Sequence, residues 1–362
     1  MSAPLRSPLI ASRESGPLVE YHGALLPERY SEPLAEHHAV RTAAGLFDGS
    51  FRARFTATGS DRVRFLHGMV SNDIRGLAPG QGTYATVLDV RGHILADLVV
   101  CCTADCFVID TDANLVDKAL QALNHYNIGG RTPLERLDVT ALFLQGPKSG
   151  LIVKELLQTE PPGPEEFRHA EASFAGQPLR VVRWSITGEE GYAFWIAPTA
   201  LPELWSALLA LGGGHGLVPC GVKSLETLRI EAGIPRYGAE LAEDVLPLEA
   251  GLLNALSFTK GCYIGQEIVE RARSRGHVNW KLVGLFTEAA DPLAPGEKLL
   301  SKGKEVGEIT SACAAPTLGR TIALAYARRE VAEPGTKLDL ASGSTAEVTA
   351  LPFYRPGAGT LF

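Results

Sequence analysis

The sequence lacks the features that mark several common classes of protein. Six cysteines in 362 residues, with no C-x-x-C pair among them, are too few for a disulfide scaffold. No apolar run approaches the roughly 18 residues that a membrane helix needs. The net charge of −7 argues against a general nucleic-acid binder, which needs a basic surface. We therefore expect reduced thiols, a cytoplasmic location, no membrane and no nucleic-acid partner.

Familiar catalytic and targeting signals are also missing. The chain contains no G-x-S-x-G, H-E-x-x-H or G-x-x-x-x-G-K-[ST] motif. Residues 1–20 have no apolar core of a secretory signal. Cys101, Cys102 and Cys106 lie close together, but the first two end an apolar run, Ile94 to Cys102, that is typical of a strand. Since strand neighbours point to opposite faces, we favour buried thiols over metal ligands and expect no metal.

The order of predicted elements indicates an α+β fold in two or three domains. Strands at 84–88, 94–102 and 107–109 precede a helix that begins near Thr111. Phe55 and Ala57 alternate with more polar residues, which predicts a strand with one buried face. After a linker at 291–296, short strands and turns predict an antiparallel β-barrel. We place the main region, two interleaved domains, at 20–286 and the barrel domain at 287–362.

One stretch, Lys260-Gly261-Cys262-Tyr263-Ile264-Gly265-Gln266-Glu267, fits neither a buried strand nor an amphipathic helix. A cation beside a thiol favours the thiolate, so Lys260 could activate Cys262. The two glycines suggest a backbone that turns or is closely approached. A polar turn with an inert cysteine is the alternative. A basic run follows: Arg271, Arg273, Arg275, His277 and Lys281.

Other groupings place polar residues in unusual surroundings. Asp97 lies within an apolar strand, where a carboxylate needs a partner or a ligand unless it faces water at an edge. Glu189 lies in a glycine-flanked turn and can accept two side-by-side N–H bonds from a ring, unless the turn is solvated. Arg229 and Glu231 are two apart on a helix and cannot pair with each other, so each needs another partner.

These pieces, in this order, resemble the folate-dependent glycine-cleavage T-protein (aminomethyltransferase) superfamily over roughly residues 35 to 355. The segments that carry the resemblance are Ala44 to Asp48, Gly80 to Tyr84, Gly92 to Asp97, Thr187 to Tyr192, Leu228 to Gly238, Val306 to Ser311 and Leu351 to Phe353. The resemblance implies a three-domain cloverleaf around a central opening that holds tetrahydrofolate. It implies that the folate site is lined by Tyr84, Asp97, Glu189, Tyr192 and Arg229. Glu189 would face the pteridine, and Arg229 or Arg355 would meet the glutamate tail.

The Lys260 to Glu267 stretch is similar to the signature of the YgfZ branch, folate-binding proteins linked to iron–sulfur cluster assembly and repair. That resemblance implies a monomer that works with iron–sulfur proteins or assembly factors, with Cys262 as the functional thiol and Lys260 holding it ionised. The alternative is an aminomethyltransferase with Asp97 as acid–base group. Against it, Ala96 and His93 replace an acid and a glycine that T-proteins usually carry. A third class is a folate-sensing module without chemistry.

Overall fold

The computed structural model describes residues 4–10, 16–274, 278–287 and 293–357. Its strands are Leu5–Arg6 (β1), Leu18–Tyr21 (β2), Ala24–Pro27 (β3), Ala44–Asp48 (β4), Arg52–Ala57 (β5), Gly82–Leu88 (β6), Ile94–Cys102 (β7), Phe107–Asp112 (β8), Leu134–Leu137 (β9), Thr140–Gln145 (β10), His169–Phe174 (β11), Gln177–Arg183 (β12), Gly191–Ile196 (β13), Leu217–Cys220 (β14), Trp280–Thr287 (β15), Lys298–Ser301 (β16), Lys304–Ala315 (β17), Arg320–Arg328 (β18), Lys337–Leu340 (β19) and Thr345–Thr349 (β20). Its α-helices are Pro33–Thr42 (α1), Arg62–Met69 (α2), Val116–Tyr126 (α3), Ser149–Leu157 (α4), Leu201–Gly212 (α5), Val222–Glu231 (α6) and Gln266–Ser274 (α7). None of these helices is long and apolar enough to cross a membrane.

Two sheets face each other across a shared core. One has the order β11-β12-β13-β10-β4-β14, and the other has the antiparallel order β6-β7-β8-β5-β9. The apolar run of β10 is buried on both faces: Leu142 packs towards α4 and α5, whereas Phe143 packs towards the second sheet. Cys101 lies in that shared core and Cys102 on the opposite face, as the alternation of a strand requires. A smaller sheet, β1-β3-β2, carries the hairpin turn between β2 and β3.

The alternation in β5 led to one wrong expectation. Polar residues of this strand were expected on an exposed face, yet Arg52 and Arg54 are both buried. They are paired with Asp110 and Asp112 of the neighbouring strand β8. Ion pairing therefore allows both faces of β5 to be buried, which the polar pattern alone did not indicate.

The C-terminal region is the predicted antiparallel barrel, closed by six strands in the order β15-β18-β17-β16-β19-β20. Its apolar interior includes Leu285, Ile309, Ala325 and Val348. Trp280–Thr287 is a barrel strand, paired with β18 and β20, so the barrel begins before the expected boundary at 287. Residues 291 and 292 of the predicted linker lie outside the described residues. The mixed helix–sheet fold with a terminal barrel is confirmed.

The Lys260 to Glu267 stretch ends in a helix, α7, which begins at Gln266. Gly265 has a φ of +82°, and a Cβ added there would lie 2.7 Å from the carbonyl oxygen of Asp89 in the β6–β7 hairpin. The glycine is therefore required by close backbone approach as well as by its dihedral angle. Arg271 pairs with Glu267 and Arg273 with Glu270 along α7, while Arg275 and His277 lie outside the described residues.

This packing predicts unequal effects of two glycine substitutions. Gly265→Ala adds a Cβ against backbone atoms, so we expect a loss of unfolding free energy about 1–3 kcal/mol larger than that of Gly261→Ala. Gly261 is the matched control because its φ is +94° but a Cβ there would have no neighbour within 4 Å. Urea denaturation of both variants measures the difference. Equal losses would show that the hairpin does not constrain Gly265.

Candidate active site

A cavity of ≈ 680 Å³ opens where the five-stranded sheet, the β2–β3 turn, the segment after α6 and the start of the barrel meet. The sheet contributes Arg52, Tyr84, Asp97 and Asp112. The turn contributes Tyr21 and His22, and Leu282, Leu351 and Pro352 come from the C-terminal part of the chain. Of the predicted site residues, the cavity therefore brings together Tyr84, Asp97 and, at its wall, Arg229.

Asp97 has one carboxyl oxygen that is hydrogen-bonded and one that is buried without a partner among the described residues. It lies on β7, an interior strand of its sheet, so the edge position considered above does not apply. The Tyr84 hydroxyl donates to Asp97 Oδ2 at 3.1 Å, whereas Oδ1 has no hydrogen-bond partner among the described residues. Burial raises the pKa of Asp97, and the negative charge of Asp112 raises it further against the opposing effect of Arg52. Asp97 therefore keeps its proton to a higher pH than an ordinary aspartate does.

Behind Asp97 lies a buried group of charges that the sequence analysis missed. The Arg52 Nε donates to Asp110 Oδ1 at 2.7 Å, and Nη1 of the same guanidinium bonds Asp112. His22 Nδ1 lies 2.7 Å from the other oxygen of Asp112. The sequence does contain a signal for this group, Arg-x-Arg on one strand and Asp-x-Asp on another. Charged residues two positions apart in a strand lie on the same face of the sheet. Only the pairing of β5 with β8 shows that these two pairs meet.

Aromatic rings line the wall beside Asp97. Tyr84 and Phe167 stack with centroids 6.5 Å apart and an interplanar angle of 24°. Phe167 meets Trp184 edge to face at 5.7 Å, and all three residues line the cavity. Rings in this arrangement offer apolar faces to a flat ligand, while the unpartnered carboxyl oxygen of Asp97 retains unused hydrogen-bonding capacity.

Arg229 lies at the cavity wall but its guanidinium is already engaged. It donates to Glu226 Oε2 at 2.8 Å, to Glu240 Oε2 at 2.9 Å and to the Ser311 hydroxyl at 2.6 Å. The expectation that Arg229 and Glu231 do not pair is confirmed. Arg236 also lines the cavity and has a more exposed side chain, with Nε 3.2 Å from Glu226. Arg355 is exposed and does not line it. Arg236 is therefore the more available cation for an acidic ligand group.

Two predicted folate contacts are not brought to the cavity. Glu189 is buried and accepts a hydrogen bond from Arg41 at 2.9 Å, and the Tyr354 hydroxyl bonds the same side chain. Tyr192 packs in the core of the six-stranded sheet, and its hydroxyl donates to Glu190 at 2.8 Å. Both side chains are thus engaged by other protein groups, Glu189 by the distant Arg41 and Tyr192 by the nearby Glu190.

Lys260 and Cys262 do not form a pair at the cavity either. The Lys260 ammonium donates to the backbone carbonyls of His67, Val70 and Asn72. Burial lowers the pKa of Lys260 to about 7. Cys262 is exposed, and neither residue lines the cavity. Lys260 therefore satisfies the carbonyls at the end of α2, which is a structural role.

Comparison with known families agrees with this architecture. The model of the GCVT N-terminal domain matches residues 11–260, and that of the glycine cleavage T-protein C-terminal barrel domain matches residues 281–355. The chain belongs to the glycine cleavage T-protein family. An aminomethyltransferase of Streptomyces avermitilis is 35% identical over 349 residues, which are 93% of this chain and 94% of that protein. The aminomethyltransferase of Bacillus subtilis is 31% identical, over 97% and 99% of the two chains.

The T-protein fold is also found by structural comparison. The crystal structure of the glycine cleavage system aminomethyltransferase T from Bartonella henselae superposes with a TM-score of 0.89 and covers 97% of this chain and 98% of its own. Its sequence identity is 24%, so this likeness concerns the fold. The expectation of a T-protein-like fold with a terminal barrel is confirmed.

The carbonyl contacts of Lys260 predict a loss of stability when the amine is removed. Lys260→Met would leave three backbone carbonyls without their donor, and we expect it to lower the free energy of unfolding by about 2–4 kcal/mol. Lys281→Met is the control, because Lys281 is an exposed lysine whose Nζ lies 3.6 Å from Glu333. It should change stability by less than about 0.5 kcal/mol. Chemical denaturation distinguishes them, and wild-type stability of Lys260→Met would contradict the structural role.

Proposed function

We propose that this T-protein family member transfers an aminomethyl-derived one-carbon unit to tetrahydrofolate, with Asp97 as the acid–base group. The observation that carries the proposal is the state of Asp97 at the wall of a large cavity: Tyr84 bonds one carboxyl oxygen, and the other is buried with no hydrogen-bond partner among the described residues. The relatives cited above are named aminomethyltransferase, and proteins of that kind use tetrahydrofolate as substrate and cofactor.

The residues of the cavity fit a folate. Its volume of ≈ 680 Å³ lies in the range of sites for ligands of that size. Tyr84, Phe167 and Trp184 offer ring faces to a flat pteridine. Arg236, which also lines the cavity, is suited to the carboxylates of a glutamate tail. Tetrahydrofolate supplies the amines that accept the one-carbon unit.

The chain's own contribution is to hold and move a proton at Asp97. The raised pKa favours the protonated carboxyl group, which can donate its proton to the departing amine nitrogen, and the resulting carboxylate can take a proton from an accepting amine. Burial also raises the pKa of Tyr84 well above its usual value, so its hydroxyl remains a donor and fixes the orientation of Asp97. The products are methylenetetrahydrofolate, ammonia and the thiol form of the lipoyl carrier.

One difference from the usual T-protein sequence pattern is only weak evidence against one-carbon transfer. Ala96 replaces an acid, but it is fully buried in the core cluster on the face of β7 opposite Asp97. An acid at that position of this sheet would not reach the cavity. Of the two adjacent acids that T-proteins usually carry, this chain therefore keeps the one that lines the cavity, Asp97.

We predict that Asp97→Asn lowers the rate of transfer by about 10²–10⁴-fold, because the amide can neither donate nor accept the proton. The measurement is formation of methylenetetrahydrofolate from an aminomethylated lipoyl carrier and tetrahydrofolate. Asp105→Asn, the same exchange at an exposed position, is the control and should retain the wild-type rate. Absence of the product with the wild-type protein, or full activity of Asp97→Asn, would refute the proposal.

A second candidate function is the iron–sulfur role implied by the resemblance to the YgfZ branch. The observation that favours it is that Cys262 is exposed while its neighbours Lys260 and Tyr263 are buried, so the backbone presents the thiol to solvent. An exposed thiol is open to contact with a partner protein or a cluster.

This role predicts that Cys262→Ala lowers the activity of iron–sulfur enzymes in cells under oxidative stress. Cys106→Ala, at a half-buried thiol, is the control and should leave those enzymes unaffected. Equal enzyme activities with wild-type protein and Cys262→Ala would remove the second candidate without affecting the first.

A further inference from the structure

Two carboxyl groups face each other across the sheet that forms the cavity floor. Strands β7 and β8 pair with Val99 opposite Asp110, and the same antiparallel register continued by two residues places Asp97 opposite Asp112. The Thr111 hydroxyl bonds the backbone carbonyl of Asp97 at 2.9 Å, which agrees with that alignment. Like charges directly opposite each other destabilise a sheet, so one of the two carboxyl groups must be neutral or strongly paired.

The paired member is Asp112. Arg52 lies opposite it on the other neighbouring strand, β5, and bonds one of its oxygens. His22 bonds the other oxygen at 2.7 Å, and the side chains of His22 and Asp112 are 4% and 6% exposed. Asp97, on the opposite side of Asp112, has the Tyr84 hydroxyl as its only side-chain partner among the described residues. The row across the three strands is therefore asymmetric, because Arg52 and His22 both bond Asp112 and neither bonds Asp97.

The position of His22 is imposed by its backbone. It lies in the β2–β3 turn with a φ of +49°, a conformation that non-glycine residues adopt rarely. The carbonyl oxygen of His22 accepts a hydrogen bond from the Asn114 N–H at 3.1 Å, just after Asp112. The turn is thus fastened to the end of β8 by one main-chain bond and one side-chain bond, and the strained residue is the one that contacts Asp112.

We propose that Asp112, held as a carboxylate by Arg52 and His22, is a positioning residue that keeps the proton of the carboxyl pair on Asp97. Both carboxyl oxygens of Asp112 bond these partners, so Asp112 acts on Asp97 through its negative charge. That Asp97 uses this proton in catalysis rests on the proposed function, whereas the location of the proton does not. The groups that face Asp97 are Tyr84 from β6, Asp112 from β8, Arg52 from β5, His22 from the turn, and Tyr237 after α6, whose hydroxyl accepts from Lys118 at 2.6 Å.

The direction of the pKa changes supports this arrangement. Burial acts to raise the pKa of Asp112, but His22 and Arg52 outweigh it and lower that pKa below its usual value. The pKa of Asp97 is raised, with the charge of Asp112 as the cause second to burial. Since the ionised form of Asp112 opposes ionisation of Asp97, removing that charge must let Asp97 lose its proton at lower pH.

The test is a ¹³C NMR titration of the full-length protein labelled at aspartate side-chain carboxyl carbons, with the Asp97 signal identified by its loss in Asp97→Asn. In the wild type we expect Asp97 to titrate above the ordinary value of about 4. Asp112→Asn should lower its midpoint by about one to two pH units. Glu166→Gln, which removes another charge that lines the same cavity, should leave the midpoint unchanged.

Three results would overturn the proposal: a wild-type Asp97 midpoint at or below about 4, an unchanged or higher midpoint in Asp112→Asn, or an equal fall in Glu166→Gln. The wild-type measurement decides by itself if Asp112→Asn does not fold. In the transfer assay the alkaline limb of the kcat profile should move to lower pH with the NMR midpoint in Asp112→Asn. Correct NMR midpoints without transfer by the wild type would refute the proposed function but not the location of the proton.

Discussion

The structure depends on neutralising charge where it is buried, and Arg229 is the central example. Its guanidinium joins Glu226 on its own helix, Glu240 in the following segment and Ser311 in the barrel. Glu240 in turn accepts from the hydroxyls of Thr310 and Ser311. Removing one member of such a group leaves a buried charge without its partner, at a cost of about 3–5 kcal/mol. The barrel is thereby held in the one orientation that completes the wall of the cavity.

Regular elements followed from local patterns in the sequence. The strands expected at 84–88, 94–102 and 107–109 are present as Gly82–Leu88, Ile94–Cys102 and Phe107–Asp112, and the helix expected near Thr111 begins at Val116. The barrel strand Lys298–Ser301 has a weak local signal because it is four residues long and follows a Pro-containing segment. The helix Gln266–Ser274 was missed because its basic residues looked like a solvated run, whereas they pair with acids one turn earlier.

The site was predicted only in part, for a physical reason. Asp97 was identifiable because a carboxylate in an apolar strand needs a partner, whereas Tyr84 was expected from the family resemblance. Glu189 instead bonds Arg41, which is 148 residues away in the chain, and Lys260 bonds the carbonyl of Val70, which is 190 residues away. Local sequence shows that a charged group needs a partner but not which distant partner lies nearest. Asp112 was missed for the same reason, because its position beside Asp97 follows from strand register, which local sequence does not show.

The cavity draws its lining from both ends of the described chain. Tyr21 and His22 lie in its first hairpin, and Leu351 and Pro352 lie beyond the last barrel strand. During synthesis, the sheet that carries Asp97 and Asp112 can form long before residue 351 has left the ribosome. The charges of the sheet are then already paired, but the cavity still has an open side. The cavity is therefore completed late, after its last lining residues have been added to the chain.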